Sequence, residues 1–282
     1  MPQLFRTPLV GLCLSLAFVV LSAMQPAHAA ADRTKVEAFL EVTGFDVALE
    51  SIRLSADSAP AMLGIQADAF GSEWSRLVGE VFATETMHEM AIDILSQTLT
   101  EELLSHAADF YASDLGVRLV AVENKSHMEE DDANKTETGE AIIAGLVRIG
   151  SPRVEILNRL NSASSTEDNA VRAIQEVQVR FLMTAAAAGV IELQMDEADL
   201  RASMRSQEGE MRRAIQANAL AGSAYTYQAF SDDEVAAYAE ALEHPKMRRV
   251  YELMNAVQYE IMANRFEAVA RRLAGMQPSQ DL

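Results

Sequence analysis

Thr100-Glu101-Glu102-Leu103-Leu104, then Asp109-Phe110-Tyr111-Ala112-Ser113, then Arg118-Leu119-Val120, is a pattern that this chain spells twice. The second spelling is Ser231-Asp232-Asp233-Glu234-Val235, Glu240-Ala241-Leu242-Glu243-His244 and Arg249-Val250-Tyr251. From 100 to 231, from 109 to 240 and from 118 to 249 the spacing is 131 residues each time. Each copy opens on a hydroxyl residue that can cap a helix and continues with acids that favour the positive end of the helix dipole. Ser231 and Glu234 have the spacing of a capping box. An apolar helix follows in both. The pattern predicts an all-α fold made from a duplicated helical-bundle module, two similar halves of about four helices each.

Outward from these copies, helix formers dominate and no Asn-Gly or Asp-Gly hairpin signal occurs. Apolar periodicity predicts helices from Asp32 to about Leu54, from Ser72 to Leu99, and from Thr100 toward Met128. Glu129 to Asn134 reads as a solvated helix end or loop. Further helices are expected from Thr136 to Ile149, after the Ser151-Pro152 restart, over Thr166–Ala188 and Asp196–Ala221, and on either side of Pro245. Asn161 to Asn169, rich in Ser and Asn, is the most linker-like stretch and divides a first repeat, 30–160, from a second, 166–275. A disordered tail, 276–282, is expected beyond it. Val36 to Val42 resembles Val171 to Val177 at an offset of 135, which requires an indel between the matched blocks.

Residues 1–29 read as a signal peptide. Arg6 precedes an apolar core from Leu9 to Met24, Pro26 ends it, and Ala27-His28-Ala29 suits a signal peptidase. Cleavage is expected after Ala29 or Ala30; retention as an anchor is the alternative, although the core is short of the roughly 20 residues a span needs. Cys13 leaves with the signal, so disulfides, thiolate metal sites and cysteine nucleophiles are excluded from the mature chain. The chain has 23 basic and 42 acidic residues. Removing Arg6 leaves 22 against 42, a formal charge of −20, which repels nucleic acid and anionic lipid.

Chemistry-bearing patterns are sparse. His88-Glu89 begins like a zinc-protease helix, but Ile92 stands where the second histidine belongs. His106, His127 and His244 lie at no metal-ligand spacing and read as surface or boundary residues. Met87-x-x-Met90 could hold copper(I), but methionines at 247, 254 and 262 recur as core positions do. Glu129-Glu130-Asp131-Asp132 lacks the glycine of a calcium loop. Asn124-Lys125-Ser126 and Asn134-Lys135-Thr136 match a glycosylation sequon. Arg118 and Arg249, at equivalent places in the copies, suit either an inter-helix salt bridge or an anionic ligand.

The segment Leu99-Thr100-Glu101-Glu102-Leu103, continuing to Phe110-Tyr111-Ala112-Ser113-Asp114-Leu115-Gly116-Val117-Arg118-Leu119, resembles the signature of domain of unknown function 2059. Phe230 to Val235 and His244 to Val250 look like a second, diverged copy, which keeps Pro245 but has Met247 in place of the glycine. Glu41-Val42-Thr43-Gly44 resembles the family's opening helix. The resemblance implies a helical fold and an exported, periplasmic bacterial protein; it implies no activity. Ser113 to Gly116 reads as a kink where a small residue lets two helices approach.

The sequence therefore points to a non-enzymatic exported helical protein acting through interaction, its partner an envelope protein or a second copy. No cofactor, no nucleic acid and no membrane contact after signal cleavage are expected. The alternative is a small-molecule anion or metal binder with a site between the halves, where Arg118 and Arg249 would meet the ligand. A further alternative is an enzyme using His88, His106 or His244 with carboxylates.

Overall fold

The computed structural model describes residues 31–64, 72–165 and 167–275. The expected signal peptide and the tail at 276–282 lie outside the described residues. The regular elements among those residues are all helices, with no β-strand. The helices are α1 (Arg33–Thr43), α2 (Phe45–Ser51), a 3-10 turn (Ile52–Asp57), α3 (Ser58–Met62), α4 (Ser72–Val81), α5 (Thr84–Thr98), α6 (Glu101–Tyr111) and α7 (Asp114–His127). They continue as α8 (Asp132–Arg148), α9 (Arg153–Ser164), α10 (Glu167–Ala187), α11 (Glu197–Ser206), α12 (Glu208–Thr226), α13 (Asp232–Glu243) and α14 (Pro245–Leu273).

The expectation of about four helices per half needs correction. Among the described residues, α1 to α9 precede residue 165 and α10 to α14 follow it. Stretches that read as single helices are broken. Gly44, at φ 69°, ends α1 in the left-handed region that a glycine adopts without strain. Phe82 and Ala83 interrupt the second stretch without Gly or Pro. The break turns Phe82 inward, where it is 1% exposed and meets Phe266 edge-to-face at 5.9 Å between ring centroids. Gln207 separates α11 from α12. The acidic run at 129–134 is only partly loop, because Asp131 caps α8 by accepting from the Asn134 amide at 2.9 Å. Most of the supposed linker is helix too, since α9 runs to Ser164 and α10 begins at Glu167.

Helix starts follow their capping residues. The Thr100 hydroxyl accepts from the Leu103 amide at 3.3 Å, and Ser113 accepts from Gly116 at 3.1 Å. Ser231 and Glu234 complete the capping box. Pro245 begins α14, at a position where no intrahelical donor is needed.

The longest helix, α14, has 29 residues, about 43 Å at 1.5 Å per residue. It packs against α4, α5 and α6 on one side of the sequence and against α9, α10 and α13 on the other. A single hydrophobic cluster runs from Ala31 to Leu273. Helix α9, read with the first repeat, packs chiefly on α13 and α12, while α8 lies along α12. The two stretches of chain thus share one core across residue 165.

The doubled motif occupies two helix pairs, α6–α7 and α13–α14. Leu104, Ala107, Tyr111, Gly116, Leu119 and Ser126 are the buried positions of the first pair. The residues 131 further on, Val235, Tyr238, Leu242, Met247, Val250 and Val257, are buried as well. Cross-contacts are reciprocal. Arg118 of α7 donates to Glu234 at the start of α13, at 2.6 Å, and Lys246 of α14 meets Glu102 at the start of α6, at 2.6 Å.

Candidate functional site

Glu123 lies on the buried side of α7, four residues beyond the fully buried Leu119. Its counterpart at the 131 offset is Met254, a core residue of α14. Around the carboxylate stand four of the chain's six tyrosines. Tyr227 Oη, from the turn after α12, donates to Glu123 Oε1 at 2.6 Å. Tyr238 of α13 also hydrogen-bonds to Glu123. The Tyr238 hydroxyl meets those of Tyr251 at 2.8 Å and Tyr111 at 3.1 Å, and Tyr111 and Tyr251 are bonded to each other. Three phenols therefore close a ring of hydrogen bonds beside one acid. Phe110 stacks on Tyr238, 5.7 Å between centroids and 7° between planes.

Other polar groups fix this arrangement. Arg153 is 8% exposed; its guanidinium donates to the Tyr227 carbonyl at 2.5 Å and to Asp232 Oδ1 at 2.7 Å. Asp232, an acid of the second motif, thereby helps to hold the turn that carries Tyr227. Lys135 Nζ donates to the Ser126 carbonyl at 2.9 Å, and Thr226 Oγ1 donates to Ser126 Oγ at 2.8 Å.

Glu123 faces two cavities. The larger, 310 Å³, lies among α7, α8, α9, α12, α13 and α14 and is lined by Glu123, His127, Lys135, Thr226, Tyr227 and Tyr251 among others. The smaller, 190 Å³, reaches Thr43 and Gly44 at the α1–α2 turn and also touches Glu123, His127, Ser164 and Tyr251. Asn124, which lines this second cavity, has a buried Oδ1 with no hydrogen-bond partner among the described residues. Ser164 borders both.

Burial pushes the Glu123 carboxyl up to about 7, against the opposing pull of its hydrogen bonds from Tyr227 and Tyr238. Burial also raises all four phenols far above their usual range, so they remain protonated. His127 keeps part of its surface open at the cavity, but the protein packed about it, and then Lys135, lower its pKa. No salt bridge reaches Glu123 among the described residues, although sixteen ion pairs form elsewhere. A half-buried carboxyl that titrates near neutrality, faces open volume and lacks a cation is arranged to receive one, or to exchange a proton.

The residues singled out by sequence are placed differently. Arg118 is exposed, pairs with Glu234 and lies over the Phe230 ring at 5.3 Å; Arg249 is exposed and pairs with Glu252 of its own helix at 2.8 Å. Neither lines the cavities at Glu123. Hydrogen bonds from Ser231 and then from Arg118 hold Glu234 down at about 2. Glu101 pairs with Lys35 at 2.7 Å. Of the residues quoted in the doubled pattern, Tyr111 and Tyr251 belong to the hydroxyl ring. His106 and His244 stack at 4.3 Å, and His88 contacts the Asp46 carbonyl at 3.1 Å. None of these three borders the two cavities, whereas His127, read as a surface residue, borders both. Met87 is fully buried, as a core methionine is. The sequence does not single out Glu123, Tyr227 or Tyr238, and Tyr251 appears in it only as part of the doubled pattern; the one available signal is an acid at 123 where the residue 131 further on is Met254.

Residues 85–144, from α5 into α8, match a family model described as an uncharacterized protein conserved in bacteria (DUF2059). That span carries Tyr111, Gly116, Arg118 and Glu123. No curated protein and no solved structure matches the chain. No helix among the described residues is long and apolar enough to cross a membrane.

Proposed function

We propose that this is a non-enzymatic, exported binding protein that holds a small ligand at Glu123, in the cavity lined by α7, α8, α9, α12, α13 and α14. One observation carries the reading. An acid occupies a position whose counterpart is an ordinary core methionine, and it faces 310 Å³ of open space. Packing alone does not require a carboxylate there, and burying one without a cation is costly. The reading keeps a ligand site with walls from both halves and moves it from Arg118 and Arg249 to the tyrosine cluster.

Two further parts belong to the proposal. The helix pairs α6–α7 and α13–α14 descend from one duplicated unit, a view supported by their matching buried positions and reciprocal end-to-end ion pairs. The chain acts outside the cytoplasm of a bacterium; the apolar segment ahead of Ala29 supports the export, and the family description supports the bacterial source alone. A second reading, self-association, draws on Val147 and Ile149 at the end of α8, which are 63% and 76% exposed.

A thermal-shift screen grouped into small cations, anions and neutral polyols tests the ligand reading. Wild type and Glu123→Met are compared. At least one group should raise the wild-type midpoint and leave the variant unmoved. If no group shifts the wild type, or if both proteins shift alike, the reading fails.

A further inference from the structure

The donors and acceptors around the cavity are unequally matched. Glu123 offers carboxylate oxygens, and the phenols of Tyr227, Tyr238 and Tyr251 can each accept as well as donate. The cationic side chains nearby are otherwise engaged. Lys135 is tied to the Ser126 carbonyl, and Arg153 is held by Asp232 and the Tyr227 carbonyl. The pocket therefore has acceptors in excess, and its one carboxylate forms no ion pair with Lys135, the lysine in the same wall.

Resting on the cavity reading above, we propose that the ligand is a small organic cation, bearing an ammonium or guanidinium group that donates to Glu123. Four arguments favour this class. A carboxylate in a low-dielectric site gains most from a charged donor, because hydrogen bonds to ions are about twice as strong as neutral ones. The chain carries 42 acidic against 23 basic residues, and that field draws cations toward it while repelling anions. A divalent metal fits less well: one carboxylate and neutral phenols are a poor oxygen set, and no cluster of three or more His, Cys, Asp or Glu forms among the described residues. The tyrosine rings in the wall also favour a cation over an anion wherever it meets their faces.

Binding should expel a proton. Glu123 is about half protonated at pH 7, and a cation beside it selects the ionised form. Lys135 from α8 is the charged group facing it; His127 on its own helix, its pKa lowered, faces it as a neutral imidazole, and Tyr111 from α6, Tyr227, Tyr238 from α13 and Tyr251 from α14 face it as neutral phenols.

The test uses three probes of equal chain length, 1,4-diaminobutane, 1,4-butanediol and succinate, titrated calorimetrically into the mature protein and into Glu123→Gln. The measurements are made at pH 7 in about 0.15 M salt, where surface attraction is screened beyond about 8 Å. The expected result is diamine binding that weakens at least about tenfold in Glu123→Gln, which loses a charge-assisted hydrogen bond. In two buffers of different ionisation enthalpy, release of up to about half a proton per site at pH 7 should accompany it. Diamine binding untouched by Glu123→Gln is surface attraction and overturns the inference, as does no binding by the diamine. If the diol or succinate binds as well as the diamine, and Glu123→Met abolishes that binding, the cation inference falls while the cavity reading stands.

Discussion

In α6–α7 two residues, Ala112 and Ser113, separate the helices, and the second leans on the first through Gly116; in α13–α14 the single residue His244 ends one helix and caps the next. Met247 stands at the glycine's place and points its side chain into the core, 1% exposed. The same buried positions thus serve two junction geometries, and the closer junction tolerates no side chain. A Cβ on Gly116 would lie 2.3 Å from the Phe110 carbonyl oxygen and 2.6 Å from the Tyr111 Cα, both backbone atoms that cannot rotate away. Gly116→Ala should therefore cost about 3 kcal/mol, at the upper end of overpacking changes. Met247→Ala should cost about 2 kcal/mol or more through a cavity. Urea denaturation of both variants measures the contrast. A Gly116→Ala protein as stable as wild type would show that the first junction is not closed as described.

The second contrast is Glu123 against Met254. The folded-state carboxyl titrates at about 7, above its ordinary 4.5, so between those values the folded protein binds a proton that the unfolded chain has released. Its protonated form carries no penalty below about pH 4.5; stability falls as pH rises through the window and levels off above 7. The full shift corresponds to about 3 kcal/mol, and contact with the open cavities reduces the expected effect to about 2. Glu123→Gln, which keeps a hydrogen bond for Tyr227, should match wild type at pH 4 and exceed it by about that amount at pH 8. Glu123→Met, which copies the second helix pair, should show the same sign. Denaturation curves at the two pH values decide it; a difference that grows toward low pH would refute the raised carboxyl.

Capping separates the pairs more gently. Ser231 and Glu234 satisfy two helix-start groups reciprocally, while Thr100 makes a single bond at 3.3 Å. Ser231→Ala should cost about 1 kcal/mol, and Thr100→Ala somewhat less. Equal losses in thermal melts would remove the distinction.

These contrasts also mark what the sequence made legible. Helix formers, Ser231 with Glu234, and Pro245 specify the class and several helix starts, because capping is local chemistry with a fixed spacing. The breaks at Phe82–Ala83 and Gln207 were not legible, since no Gly or Pro marks them and the inward turn of Phe82 depends on Phe266, distant in the chain. Asn161 to Asn169 misled for the opposite reason. Ser and Asn suit a loop, but Asn161 and Ser164 continue α9 and line cavities, and the Ser164 carbonyl accepts from Asn255. The site itself was hidden by dispersal. Tyr111 and Tyr251 are 140 residues apart, and an acid at 123 in a helix reads as solvated surface until its neighbours are known.

Arg118 and Arg249 are the smallest expected effect, and the comparison between the pairs explains why. Sequence equivalence made them stand out, yet they do different things: Arg118 reaches across to the capping box of α13, while Arg249 pairs with Glu252 one turn along its own helix. Both are more than half exposed, at 55% and 57%, so water and salt screen their partners and ordering each long side chain offsets much of the attraction. Glu234 keeps its capping bonds to Ser231 when Arg118 is removed. Arg118→Ala and Arg249→Ala should therefore leave the melting midpoint unchanged within error at physiological salt, and Arg118→Ala should lower it slightly only in dilute buffer, where the cross-pair contact is unscreened. If either variant instead abolished binding of the ligand that Glu123 requires, the anion-facing role expected from sequence would return, and the cavity would extend to a surface that now carries only ion pairs.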